Sequence, residues 1–125
     1  YSEARQMFRR MVFNFVVRNQ DDHTKNISFL MGEDGKWHLS PAYDMSYAYN
    51  PNGGWTATHQ MSINEKFDNI TREDLLTFAS KNNIKDAASV IDDVCEAASH
   101  WEGIAKDCGV PSSMIDAIIP NMILG

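Results

Sequence analysis

Residues 18–26, RNQDDHTKN, crowd two aspartates, a histidine, a lysine and an asparagine into the six positions from Asp21 to Asn26. Side chains of these types suit a solvated turn, a metal-hydrolase centre or a phosphoryl-transfer loop. The spacing carries more than the crowding. Asp21 precedes Asn26 by five residues, and Asn26 and Asp44 stand nine residues to either side of Gly35, in an Asp-Gly turn signal. If the chain doubles back there, Asn26 and Asp44 come almost opposite on adjacent strands, about 5 Å apart. A carboxamide oxygen and a carboxylate oxygen are hard ligands that suit magnesium, with phosphate and water completing its shell. Asp21 can then accept or orient the proton of an attacking hydroxyl, the remaining requirement of phosphoryl transfer.

The elements that must hold these residues are legible in the apolar spacing. Met7, Phe8, Met11, Val12, Phe15 and Val16 form an i, i+3, i+4 stripe, which predicts an amphipathic helix over 3–18 that frays near Asn19. Its arginines (Arg5, Arg9, Arg10, Arg18) are expected on solvated faces. Alternation from Ile27 to Met31 and a run at Trp37–Leu39, joined through Glu33-Asp34-Gly35-Lys36, predict a β-hairpin that Pro41 ends. Residues 45–60 show no period and read as a long loop of functional length, with a short strand over 59–63. Thr71 and Asp74 resemble a capping box opening a helix. A second helix from Asp86 to Cys108 is expected to bury Ala88, Ile91, Val94, Cys95, Ala98, Trp101 and Ile104, and Gly109 stops it. A third begins at Ser112 or Ser113 and ends or kinks at Pro120. The fold class is therefore mainly α with a small β-hairpin region.

At 125 residues the chain has room for one domain, 1–125, and one core. A net charge of −6 argues against a sequence-independent grip on nucleic acid. Two cysteines, Cys95 and Cys108, read as reduced, partly buried thiols of a cytoplasmic protein, and no apolar run approaches membrane-spanning length. Tyr1 stands where an initiator Met would, and helix patterning starts at once. A fragment of a longer protein is expected.

NQDDHTKNISFL followed by WHLSPAYDM resembles the HipA family of bacterial serine/threonine kinases, whose members carry a D-x-H-x-K-N loop, a hairpin and a [ST]-P-x-Y-D segment. Here these are Asp21 to Asn26 and Ser40 to Asp44. HQMSINEKFDNITREDLL and the helical tail also look like the family, so the resemblance spans essentially the whole chain. It implies the C-terminal, helical lobe of a protein-kinase-like fold, with ATP as co-substrate, magnesium as cofactor and a protein hydroxyl as acceptor. Asp21 is then the catalytic aspartate, Asn26 and Asp44 the magnesium ligands, His23 a support for the loop or the phosphate, and Lys25 a phosphate contact or a plain loop cation. The resemblance adds a DNA-binding antitoxin as a partner to look for, since several family members are toxins.

The same resemblance shows what is missing. A HipA-like kinase has an N-terminal lobe with a phosphate-binding loop and a phosphate-pairing lysine. Gly53-Gly54, the one adjacent glycine pair, follows Asp44 and is misplaced for that job. The chain alone is expected to be inactive. Asp22, unspecified by the motif, is expected to face solvent. His38, His59 and His100 are expected in structural or surface roles, and Tyr43 either packs beside Asp44 or sits in the core. Two rival readings stay open: a metal-dependent phosphoesterase built on Asp21, Asp22, His23 and Asp44, and a non-catalytic helical interaction module.

Overall fold

The computed structural model describes residues 2–22, 26–50, 52, 54, 56–59, 61–63 and 65–123. Helix α1 (Ser2–Val16) leads to a hairpin of β1 (Phe29–Met31) and β2 (Trp37–Leu39). After a long irregular stretch come α2 (Arg72–Lys81), α3 (Ala87–Ser99), α4 (Trp101–Asp107) and α5 (Ser112–Ile118), closed by a 3₁₀ turn at Ile119–Asn121. The fold is mainly α with one small hairpin, as the patterning predicts. No described helix is long and apolar enough to cross a membrane.

The α1 stripe packs as expected: Phe8, Val12, Phe15 and Val16 are buried against Leu75 and Ala79 of α2 and Val90, Ile91 and Val94 of α3. Helix α2 starts with a full capping box, in which the Asp74 amide donates to Thr71 Oγ1 at 3.2 Å and the Thr71 amide to Asp74 Oδ2 at 2.9 Å. Lys66 Nζ adds a 3.0 Å bond to the same oxygen.

Helix α1 does not fray. Arg18 takes a left-handed conformation (φ 58°), the Asn19 amide donates to Asn14 O at 2.9 Å, and the Arg18 amide to Phe15 O. This is a Schellman closure with arginine where glycine is usual. The same closure ends α4 at Gly109 (φ 83°), where Val110 N donates to Ala105 O.

Three expectations need correcting in the helical half. The long second helix is two, broken at His100. Ala88 and Ile104 are exposed: Ala87, one turn before Ile91, takes the inward face of α3, and Ala105 is the buried residue of α4. Cys108 is exposed, while burial pushes the thiol of half-buried Cys95 up. The strand expected over 59–63 reduces, among the described residues, to a lone bridge between Ile63 and Lys66.

The hairpin pairs Phe29 with Leu39, Leu30 with His38 and Met31 with Trp37. Its loop is a turn from Gly32 to Gly35 followed by left-handed Gly35 (φ 76°), which brings Gly32 opposite Lys36. That register carries Asn26 toward Ala42, two residues short of Asp44. The strands stand off the core, and helix α1 holds them by polar hooks: Glu3 Oε1 accepts the Leu39 amide at 3.1 Å, and Arg10 donates to the Ser40 carbonyl.

Leu75 is wholly buried and Leu30 is 57% exposed. Leu75→Ala is therefore expected to cost about 2–5 kcal/mol of stability, and Leu30→Ala no more than about 0.5 kcal/mol. Urea unfolding of the two variants measures both.

Candidate functional site

Beyond α1 the chain stays inside the protein. Val17, Asn19, Gln20 and Asp22 are all buried, so their polar groups need partners. The Gln20 amide donates to Ala48 O at 2.8 Å, the Ala48 amide to Arg18 O at 3.0 Å, and Gln20 Nε2 to Thr56 O at 2.8 Å. Arg18 Nε donates to Asn121 O at 2.9 Å, and its guanidinium lies over the Tyr49 ring, 4.6 Å from the centroid. Ala48, Tyr49 and Thr56 of the loop are thus stitched to residues 18–20. Arg10 and Arg18 are structural, which corrects the solvated faces expected for them.

Asn19 joins this segment to the far side of the hairpin. Its Nδ2 donates to Asn14 Oδ1 at 2.9 Å and to the main-chain carbonyl of Asp44 at 3.0 Å. Asp44 is itself left-handed (φ 55°), a conformation costly for a residue with a Cβ. One buried amide thereby sets where the Asp44 backbone lies relative to the residues around Asp21.

Asn26 and Asp44 line the same cavity, together with Asp22, Asn14, Asn19 and Arg10. Asn26 Nδ2 donates to the Asp21 carbonyl at 3.0 Å. With its nitrogen so engaged, the amide keeps Oδ1 as its remaining acceptor. The cavity holds ≈ 50 Å³, space for an ion and a few waters but well below the roughly 300–1,000 Å³ of pockets for larger ligands. Asp21 is exposed and does not line it.

Residues 1–121 match the family of HipA-like C-terminal domains. The chain belongs to that family. A curated relative from Sinorhizobium fredii (strain NBRC 101917 / NGR234), named "Putative kinase Y4dM", is 28% identical over 122 residues. The match covers 94% of this chain and 30% of the relative, so the chain spans under a third of that protein's length. Comparison with solved structures gave no match.

In this HipA-like domain the sequence-derived residues divide. Asn26 and Asp44 meet at one cavity, although by the turn of the chain at Asp44 and not by direct cross-strand pairing. Asp21 touches Asn26 through its carbonyl while its carboxylate faces outward. His23 and Lys25 lie outside the described residues, as does Gly53. Asp22 does not face solvent: it is 7% exposed and its Oδ2 lies 2.9 Å from His59 Nδ1. Tyr43 does not enter the core: it is 39% exposed, with its hydroxyl 2.6 Å from Ser28 Oγ across the hairpin. Asn19 and Arg10 had no signal in the motif. The one cue was polar residues (Arg10, Asn14) four apart on the helix that enters the loop.

Asp44→Gly is expected to be more stable than Asp44→Ala by about 1 kcal/mol, since only glycine relieves the left-handed backbone. Equal denaturation midpoints for the two variants would show that Asp44 carries no backbone cost.

Proposed function

We propose that this domain is the C-terminal lobe of a HipA-like serine/threonine protein kinase, and that the longer protein transfers the γ-phosphoryl group of ATP to a protein hydroxyl. The observation that carries the reading is the meeting of Asn26 and Asp44 at one small cavity, with Asn26 bonded to the main chain of Asp21. Two hard oxygen donors from a carboxamide and a carboxylate fit magnesium, which keeps several waters and takes its other ligands from phosphate. Bound there, the ion would neutralise charge on the nucleotide's phosphate oxygens.

The chain's own residues then have distinct tasks. The outward carboxylate of Asp21 orients the acceptor hydroxyl and takes its proton as the oxygen bonds to the γ-phosphorus. The bond from that phosphorus to the β–γ bridging oxygen breaks, and ADP leaves. Asn26 fixes the loop through its amide nitrogen and offers its oxygen to the metal. Lys25, by its place in the motif, would contact phosphate, and His23 would support the loop.

The small volume of the cavity fits a site completed by an N-terminal lobe, which would add the second wall of the nucleotide cleft. Serine or threonine acceptors and, for toxin-type members, a DNA-binding antitoxin enter through the family resemblance. The phosphoesterase reading loses support from the opposed directions of its two aspartates. Asp22 points inward to His59 and Asp21 outward, so they do not converge on one metal.

The test is magnesium-dependent transfer of labelled phosphate by the full-length protein. Asp21→Asn and Asp44→Ala should each reduce it by about 10²-fold or more, the scale of losing a positioned base or charge partner. Undiminished transfer in both variants would refute the assignment.

A further inference from the structure

Asp22 and His59 lie 37 positions apart in the chain and form a buried pair. His59 is 4% exposed, and its Nδ1 lies 2.9 Å from Asp22 Oδ2. An ionised carboxylate only accepts, so Nδ1 carries the proton and donates it. His59 is held on two further sides. Its amide donates to Phe67 O at 2.9 Å, and its ring lies against Phe15 of α1 with centroids 6.5 Å apart.

We propose that Asp22 and His59 are a positioning pair that fixes the direction of Asp21, an inference that rests on the kinase reading for its effect on catalysis. Burial alternates along this stretch, with Gln20 and Asp22 buried and Asp21 exposed between them. Holding Asp22 inward therefore turns Asp21 outward. Among the described residues no side-chain hydrogen bond holds the Asp21 carboxylate itself, and its direction is set by what grips the chain around it. Gln20 is bonded to Ala48 and Thr56 on one side, and Asp22 to His59 on the other. His59 lies in the segment that follows Asp44, so the pair also ties the two halves of the site together. A desolvated hydrogen-bonded pair suits this task, since losing Asp22 strands the ring nitrogen of His59 in the interior.

The experiment uses the full-length protein with Asp22→Ala, His59→Ala, the double variant, and the conservative Asp22→Asn and His59→Gln. Each Ala variant should lower kcat by on the order of tenfold to a hundredfold, as expected for a misplaced reacting group, with KM for MgATP little changed. The double variant should be no worse than either single one, and the two conservative variants should recover most of the rate. Leu75→Ala serves as a control whose lost stability should leave kcat per folded molecule intact. Hydrogen exchange should quicken at Gln20 and Asp22 in the Ala variants and not in α3. Wild-type kcat with wild-type exchange, or losses that multiply in the double variant, overturns the proposal. If the Ala variants do not fold, a tenfold kcat loss in His59→Gln that Asp22→Asn does not share would also count against it, because both retain a bond. If Asp21→Asn is as active as wild type, the kinase reading fails, and exchange at Gln20 and Asp22 still decides whether the pair holds the loop.

Discussion

Helix α1 releases the chain into the protein interior, and the polar groups that follow must be satisfied there. Water would otherwise do this at no structural cost. The stretch from Val17 to Asp22, buried at Val17, Asn19, Gln20 and Asp22, meets that demand by drawing in Asn14, Asp44, Ala48, Thr56, His59 and Asn121. These partners come from almost the full length of the chain. Secondary structure contributes little to holding them together, since the only sheet among the described residues has two strands. Asp44, Ala48, Thr56 and His59 of the irregular middle are all bonded to this one segment.

The candidate site inherits its geometry from that arrangement. The hairpin brings Asn26 and Asp44 within reach of one another, but its register leaves them out of step. The difference is made up where Asp44 turns left-handed and Asn19 grips its carbonyl. A backbone conformation that would relax in isolation is retained because a buried amide would lose a partner if it did. Polar satisfaction and the placing of Asp44 are here the same interaction.

Much of this was legible in the sequence. The α1 stripe, the hairpin, the Thr71 capping box and the Gly109 stop are local signals, each decided by spacing or by one residue's conformational range. The Asp21, Asn26 and Asp44 set was legible as a motif, because the intervals between chemically suited residues survive without knowledge of packing. The inward turn of Asp22 was not. Whether a carboxylate faces water or a histidine 37 positions away depends on the path of residues 45–59, which no period announces. The same holds for Arg18, whose left-handed conformation at a helix end would ordinarily be signalled by glycine. Arginine tolerates it here because its side chain gains Asn121 and Tyr49. Ile104 is exposed for a simpler reason: the chain breaks at His100, so the i, i+3, i+4 spacing that starts in α3 does not carry into α4.

The hairpin has a bearing on how the isolated polypeptide behaves in a tube. Phe29, Leu30, Met31 and Trp37 are each more than half exposed on a sheet of two strands, whose β2 edge is held by Glu3 at the Leu39 amide. Sheet edges invite pairing between copies. Against this stand the shortness of the strands, the charged tip at Glu33, Asp34 and Lys36, and a net charge of −6 at pH 7. Mutual repulsion of that size is screened within about 8 Å at physiological salt. Colloidal stability in this chain therefore depends on ionic conditions, and light scattering should rise as salt is added or as acid neutralises its carboxylates.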